Sequence, residues 1–129
     1  MSAVRDLGLV AAACLAASAL TLSPAYAAAG VAGQWTATDG DGSNLSLSIH
    51  GGSVRYAVRE VDDAATVCGG APASVNGAGK AEGELLVVQA TLACAPGGNV
   101  FRQRIEITFT HSATDTLTDN DGVVWTRAS

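Results

Sequence analysis

The chain has 129 residues, of which 48% are hydrophobic and 15% charged, and its formal net charge is −5 at pH 7. This length suits one domain of common size. The acidic balance argues against a nucleic-acid partner, which requires a basic surface, and against binding to anionic membranes.

Residues 1–27 have the pattern of a secretory signal peptide. Arg5 precedes an apolar run over residues 7–20, and a small-x-small site stands at residues 25–27. The run is shorter than the roughly 20 apolar residues that a membrane span needs. We therefore predict cleavage after residue 27, secretion of a single β-domain over residues 28–129, and no membrane association after cleavage.

Two cysteines remain in the predicted mature chain, Cys68 and Cys94. Disulfides persist in the compartments that exported proteins reach, and two cysteines allow a single intramolecular pairing. We predict that they form a structural disulfide. Closing this loop is worth roughly 3 kcal/mol in the chain-entropy model.

The mature chain shows period-two alternation of apolar and polar residues and no convincing helical period. Leu45, Leu47 and Ile49, for example, alternate with polar neighbours, which is typical of half-buried strands. Glycine, proline and aspartate clusters separate such runs. The predicted strands begin near Gly33, Asn44, Val54, Ala73, Leu85, Val100, Asp115 and Val123.

Short turns between about eight strands predict an all-β fold. We expect an antiparallel up-and-down meander that closes into a small barrel, because closure removes exposed sheet edges; the alternative is a β-sandwich. We predict one core that contains Trp35, Leu47, Tyr56, Leu86, Val88, Ile105, Ile107 and Trp125.

Successive turns of a meander alternate between the two ends of the barrel. Cys68 and Cys94 then share one end, as a disulfide requires, whereas His50 and His111 fall at the other. The cysteine end also collects six acidic residues, which are Asp39, Asp41, Asp62, Asp63, Asp119 and Asp121.

The predicted domain begins with Gly33-Gln34-Trp35 and ends with Val123-Val124-Trp125-Thr126-Arg127. This pairing resembles the calycin pattern of lipocalins and avidins. The resemblance implies that Trp35 plugs one end of a barrel and that Arg127 lies across it. Residues 113–125 also resemble the ends of uncharacterised secreted bacterial proteins, and that resemblance implies no activity.

Two aspartate-rich turns favour a cation hypothesis. Asp39, Asp41 and Ser43 begin like a calcium loop, but the later ligand positions are absent, and Asp-Gly is also a strong hairpin signal. If the first and last strands are neighbours, Asp119 and Asp121 come close to this turn. We hypothesise weak calcium binding by the four aspartates and predict no other cofactor; the alternative is that the turns extend into solvent.

Tyr56, Gln103 and Arg127 are polar residues on otherwise apolar strand faces. Buried polar groups need partners. These three side chains either bond to one another or to backbone inside the barrel, or they line a small ligand pocket. We keep both interpretations open.

No catalytic motif is present, and His50 and His111 fall on opposite faces of their strands. We therefore favour a secreted, non-enzymatic binding module for a small ligand or an extracellular protein. The alternatives are a small hydrolase that uses Asp63 or His111 at a barrel rim, and a structural domain of the cell envelope.

Overall fold

The computed structural model describes residues 30–52 and 54–129, and the predicted signal peptide lies outside them. Each strand begins within two residues of its predicted start. The strands are β1 (Gly33–Thr38), β2 (Asn44–Gly52), β3 (Arg55–Asp62), β4 (Ala73–Glu82), β5 (Leu85–Cys94), β6 (Arg102–His111), β7 (Thr116–Asp119) and β8 (Val124–Arg127).

The strands form one closed antiparallel barrel. Each strand pairs with the next along the chain, and β1 closes the barrel by pairing with β8. The predicted meander is confirmed, and the sandwich alternative is wrong because β1 and β8 are hydrogen-bonded neighbours. The closing seam is short, with Trp35 opposite Arg127 and Thr36 opposite Thr126.

The predicted core is confirmed. Seven of its eight members are buried in one cluster, and Ile105 is partly buried against it. The two tryptophans are almost fully enclosed, with Trp35 at 1% and Trp125 at 0% exposure. The alternation in the sequence therefore assigned the inner faces of the strands correctly.

The barrel has two chemically different ends. We call the end with the β1–β2, β3–β4, β5–β6 and β7–β8 connections the acidic end. We call the end with the other three turns, and with both termini of the described domain, the Trp35 end. As predicted, the two cysteines lie towards the acidic end, while His50 and His111 lie towards the Trp35 end.

A disulfide joins Cys68 to Cys94, as predicted, with a Cα–Cα distance of 5.4 Å. It connects a short 3-10 helix, Thr66–Cys68, in the β3–β4 connection to the last residue of β5. Asn99 strengthens this corner, because its backbone N–H donates to the Cys68 carbonyl at 3.2 Å. Within the described residues, no helix is long and apolar enough to cross a membrane.

Candidate functional site

The Trp35 end is sealed by stacked side chains. The Trp35 ring is buried, and its Nε1–H donates to the Val31 carbonyl at 2.9 Å. The Arg127 guanidinium lies over this ring, with Cζ 4.2 Å from the ring centroid. The arrangement implied by the calycin resemblance is therefore present at these two residues.

Arg127 makes charged and neutral hydrogen bonds around this seal. Its Nε and Nη2 donate to the Asp115 carboxylate at 2.7 and 2.9 Å. Its Nη1 and Nη2 donate to the carbonyls of Ala32 and Gly30 at 2.8 and 2.6 Å. The hydrogen bonds from Arg127, together with His111, hold the pKa of Asp115 well below its usual range. The guanidinium therefore uses these contacts to close this end of the barrel.

The structure does not bring together the three predicted pocket residues Tyr56, Gln103 and Arg127. Tyr56 lies opposite Gly79 near the Trp35 end, where burial raises the pKa of its phenol. Gln103 pairs with Leu92 near the acidic end and is exposed. All three stand at inward-facing register positions, but a strand spans the full height of the barrel, so a shared face does not imply contact.

A cavity of about 1110 Å³ opens at the acidic end. Part of its lining is apolar and comes from β2, β4, β5 and β6, among them Leu45, Val75, Leu92, Ile105 and Ile107. Its acidic lining residues are Asp39, Asp41, Glu60, Asp62, Glu106, Asp119 and Asp121. Among the described residues that line the cavity, none is Lys, Arg or His.

Incomplete pairing between β6 and β7 shapes this cavity. β7 pairs with β6 only from Phe109 to His111, although β6 begins at Arg102. The Asn120 side chain partly covers the remaining edge, because its Oδ1 accepts the Thr108 backbone N–H at 3.1 Å. The cavity therefore extends sideways along β6 as well as opening at the end of the barrel.

Glu60 is an acidic residue on the inner face of the barrel wall. It faces inward on β3 after Val58, and its partners across the ladder are Leu47 on β2 and Val75 on β4. Burial is the largest cause that raises the pKa of Glu60, and together with the negative charges of nearby aspartates it brings that pKa to about 7. A carboxyl group that changes charge near neutral pH thus lies in the wall of the cavity.

The aspartates of the β1–β2 turn stabilise the turn itself. Asp39 Oδ1 accepts the Gly40 N–H at 2.7 Å. Asp41 accepts the backbone N–H and the hydroxyl of Ser43, at 2.9 and 2.7 Å, and the Thr66 hydroxyl at 2.8 Å. The bond from the Ser43 N–H is the largest cause that lowers the pKa of Asp41.

Asp119 has a similar structural role in the β7–β8 turn. Its Oδ1 accepts the N–H groups of Asp121 and Val123 at 2.9 and 3.0 Å. Its Oδ2 accepts the Trp125 Nε1–H at 3.1 Å. The carboxylate therefore fixes both the turn and one core tryptophan.

These bonds bear on the calcium hypothesis. The four predicted ligands Asp39, Asp41, Asp119 and Asp121 share the acidic end, but Asp41 and Asp119 already accept several protein hydrogen bonds. In the part of the chain that the structure describes, no three His, Cys, Asp or Glu side chains are grouped closely enough to hold a metal ion.

The residues considered for hydrolysis lie far apart. Asp63 is at the acidic end, where its carboxylate accepts the Asn44 backbone N–H at 2.9 Å. His111 is at the other end, where its Nε2 lies 2.8 Å from Asp115 Oδ1. His50 contacts the Ser48 hydroxyl on the outside of β2. Each of these side chains contributes to local structure at its own position.

Sequence reasoning missed Glu60. The alternation of Tyr56 and Val58 with outward-facing Arg55 and Arg59 extends by two residues to place Glu60 on the inner face. The apolar residues of this stripe end at Val58, so alternation of apolar and polar residues alone does not extend to Glu60. A carboxyl group that continues an apolar stripe is the signal that identifies this position.

The fold and the site define a class: a small, closed, eight-stranded antiparallel barrel with one sealed end and one acidic open end. The chain matches no protein-family model, no curated protein and no solved structure in the comparisons made.

Proposed function

We propose that the chain is a secreted, non-enzymatic binding module that takes a small molecule into the cavity at its acidic end. The observation that carries this proposal is the asymmetry of the barrel. One end is filled by Trp35 and Arg127, and the other opens into a cavity of about 1110 Å³. Concave sites with apolar walls and a few polar groups are typical of small-ligand binding.

Rigidity at the rim supports this proposal. Thr66 bonds to Asp41 across two connections, and the disulfide holds the β3–β4 connection against β5. A rim that is already ordered loses little conformational entropy on binding. A concave site also favours a small ligand over an extracellular protein or an envelope component as the partner.

The proposal is tested by a small-molecule screen with a variant that blocks the rim. Val67 lines the cavity and is 42% exposed, so Val67→Trp obstructs the opening without adding bulk to the core. The matched control is Val54→Trp, at a position 51% exposed near the Trp35 end. Binding is measured by ligand-observed NMR, and the site is mapped by amide chemical shifts.

We expect ligands that bind the unaltered protein and Val54→Trp but lose most of their affinity for Val67→Trp. The amide chemical-shift changes that these ligands cause should cluster around Val75 and Leu92. Binding that Val67→Trp leaves unchanged, or a broad panel with no ligand, would contradict the proposal. Melting in calcium and in chelator accompanies the screen, and equal melting temperatures would reject the calcium hypothesis.

A further inference from the structure

The cavity has an uncompensated negative charge in an apolar wall. Glu60 lies between Leu47 and Val75 across the ladder, and Val58 precedes it on the same inner face. The described lining contributes no basic side chain. Ionising Glu60 therefore places a negative charge in a poorly hydrated wall that supplies no cation to balance it.

The charged groups that act on Glu60 have the same sign. Asp62 shares its strand, Asp39 lies in the β1–β2 turn, and Asp119 and Asp121 lie around the β7–β8 turn; all four raise the pKa of Glu60. The neighbours on β2 and β4 are apolar. A positive group that enters the cavity is therefore attracted by carboxylates from several connections.

The lining favours an organic cation over a bare metal ion. Calcium takes six to eight oxygen ligands at close range, but the described residues show no such group, and Asp41 and Asp119 have other partners. A protonated amine needs one carboxylate and can keep part of its hydration. The apolar residues of the cavity, such as Leu92 and Ile107, then contact the carbon body of the ligand.

We propose that the acidic end binds a molecule with an apolar body and one protonated amine, and that Glu60 is the counter-charge that selects it. This inference rests on the proposed function and names its ligand class. Binding of the cation favours ionised Glu60, so the carboxyl group releases its proton to solvent as the ion pair forms. Affinity should therefore rise with pH through the range in which free Glu60 titrates.

The test uses 4-phenylbutylamine and its uncharged counterpart 4-phenylbutanol as probes, with the disulfide-bonded protein purified from an exporting host. Dissociation constants are measured by NMR titration up to millimolar probe, at about pH 5 and about pH 8, where the amine stays protonated. The variant is Glu60→Gln, which keeps the shape of the side chain. The control is Glu84→Gln, in the exposed turn at the other end.

We expect the amine to bind the unaltered protein about tenfold more tightly than the alcohol at the higher pH, and about tenfold more tightly there than at the lower pH. Glu60→Gln should abolish both differences, and Glu84→Gln should preserve them. The alcohol should show little dependence on pH, since it carries no charge.

Three other results would overturn the inference in distinguishable ways. If the amine and the alcohol bind equally at this site, the cavity binds ligands but does not select cations. If neither probe binds and the wider screen also finds no ligand, the proposed function fails as well. Amine binding that Glu60→Gln does not weaken would assign recognition to other carboxylates and would also overturn the role of Glu60.

Discussion

At the residue scale, Glu60 is an ionisable side chain in a largely desolvated environment. Its partners on β2 and β4 are apolar, and the charges that raise its pKa are negative. An apolar residue at this position would extend the apolar stripe of β3 and reduce the volume of the cavity. The carboxyl group instead keeps a polar, titratable point in the wall, at a cost in stability whenever it is ionised.

The free-energy cost of ionising Glu60 in the folded protein predicts an unusual dependence of stability on pH. Because the pKa of Glu60 rises from its ordinary 4.5 to about 7 on folding, the folded protein holds this proton more tightly than the unfolded chain. The resulting stability is complete below about pH 4.5 and is lost as the pH rises through about 7. Glu60→Gln should therefore be more stable than the unaltered protein at pH 8, by up to about 3 kcal/mol.

Urea unfolding at about pH 4.5 and about pH 8 measures this difference. The two proteins should converge at the lower pH, where Glu60 is protonated. Glu84→Gln provides the control, because that side chain is exposed. A Glu60→Gln variant that is less stable at both pH values would contradict the assigned environment of Glu60.

At the element scale, β8 closes the barrel through few ladder positions. It pairs with β1 at two positions and with β7 at three. Arg127, its last residue, adds the stacking on Trp35 and the bonds to Gly30, Ala32 and Asp115. Side-chain interactions at the end of the strand thus supplement a short backbone ladder.

Removing the Arg127 side chain should weaken this closure. Arg127→Ala loses one cation–π contact and several charge-assisted hydrogen bonds, and we expect a loss of about 2 kcal/mol in the free energy of unfolding. Arg127→Lys should recover only part of this lost stability, since an ammonium group cannot make the paired hydrogen bonds to Asp115. Denaturant unfolding measures both changes.

The matched control for this prediction is Arg59→Ala. Arg59 is exposed on β3 and donates to Asn76 Oδ1 at 3.2 Å. Its removal should change stability by less than about 0.5 kcal/mol. Equal losses in the Arg127 and Arg59 variants would show that the stacked arginine does not hold β8 in place.

At the scale of the whole molecule, one barrel core and one disulfide hold the domain together. The main core cluster lies inside the barrel, and a second small cluster contains Ala65, Cys68 and Ala73 of the β3–β4 connection and the start of β4. The disulfide joins this second cluster to β5. The connection that forms part of the cavity rim is therefore anchored covalently.

Loss of the disulfide should destabilise the whole domain. The bridge spans a sequence separation of 26 residues, and a loop of this length corresponds to roughly 3 kcal/mol in the chain-entropy model. We expect the Cys68→Ala/Cys94→Ala double variant to lose about this amount. Thermal and urea unfolding compare it with the oxidised protein, and reduction of the unaltered protein should give a similar loss. An unchanged midpoint would contradict a structural role for the bridge.

The sequence by itself determined the strands, their inward faces and the order in which they meet. Period-two alternation identifies a buried face without knowledge of the partner strand, and short turns require antiparallel neighbours. The alternation of turns between two ends then placed Cys68 beside Cys94. The resemblance at the two termini also anticipated the stacking of Arg127 on Trp35.

Only the tertiary structure decided which inward residues share a height in the barrel. Tyr56 and Gln103 both face into the barrel, yet they lie towards opposite ends. The direction in which a side chain faces alternates along a strand, whereas its position along the barrel axis depends on the register between strands. The short pairing of β7 that widens the cavity also depends on contacts distant in sequence. The environment of Glu60 follows from such contacts, since Leu47, Val75 and the surrounding aspartates come from separate parts of the chain.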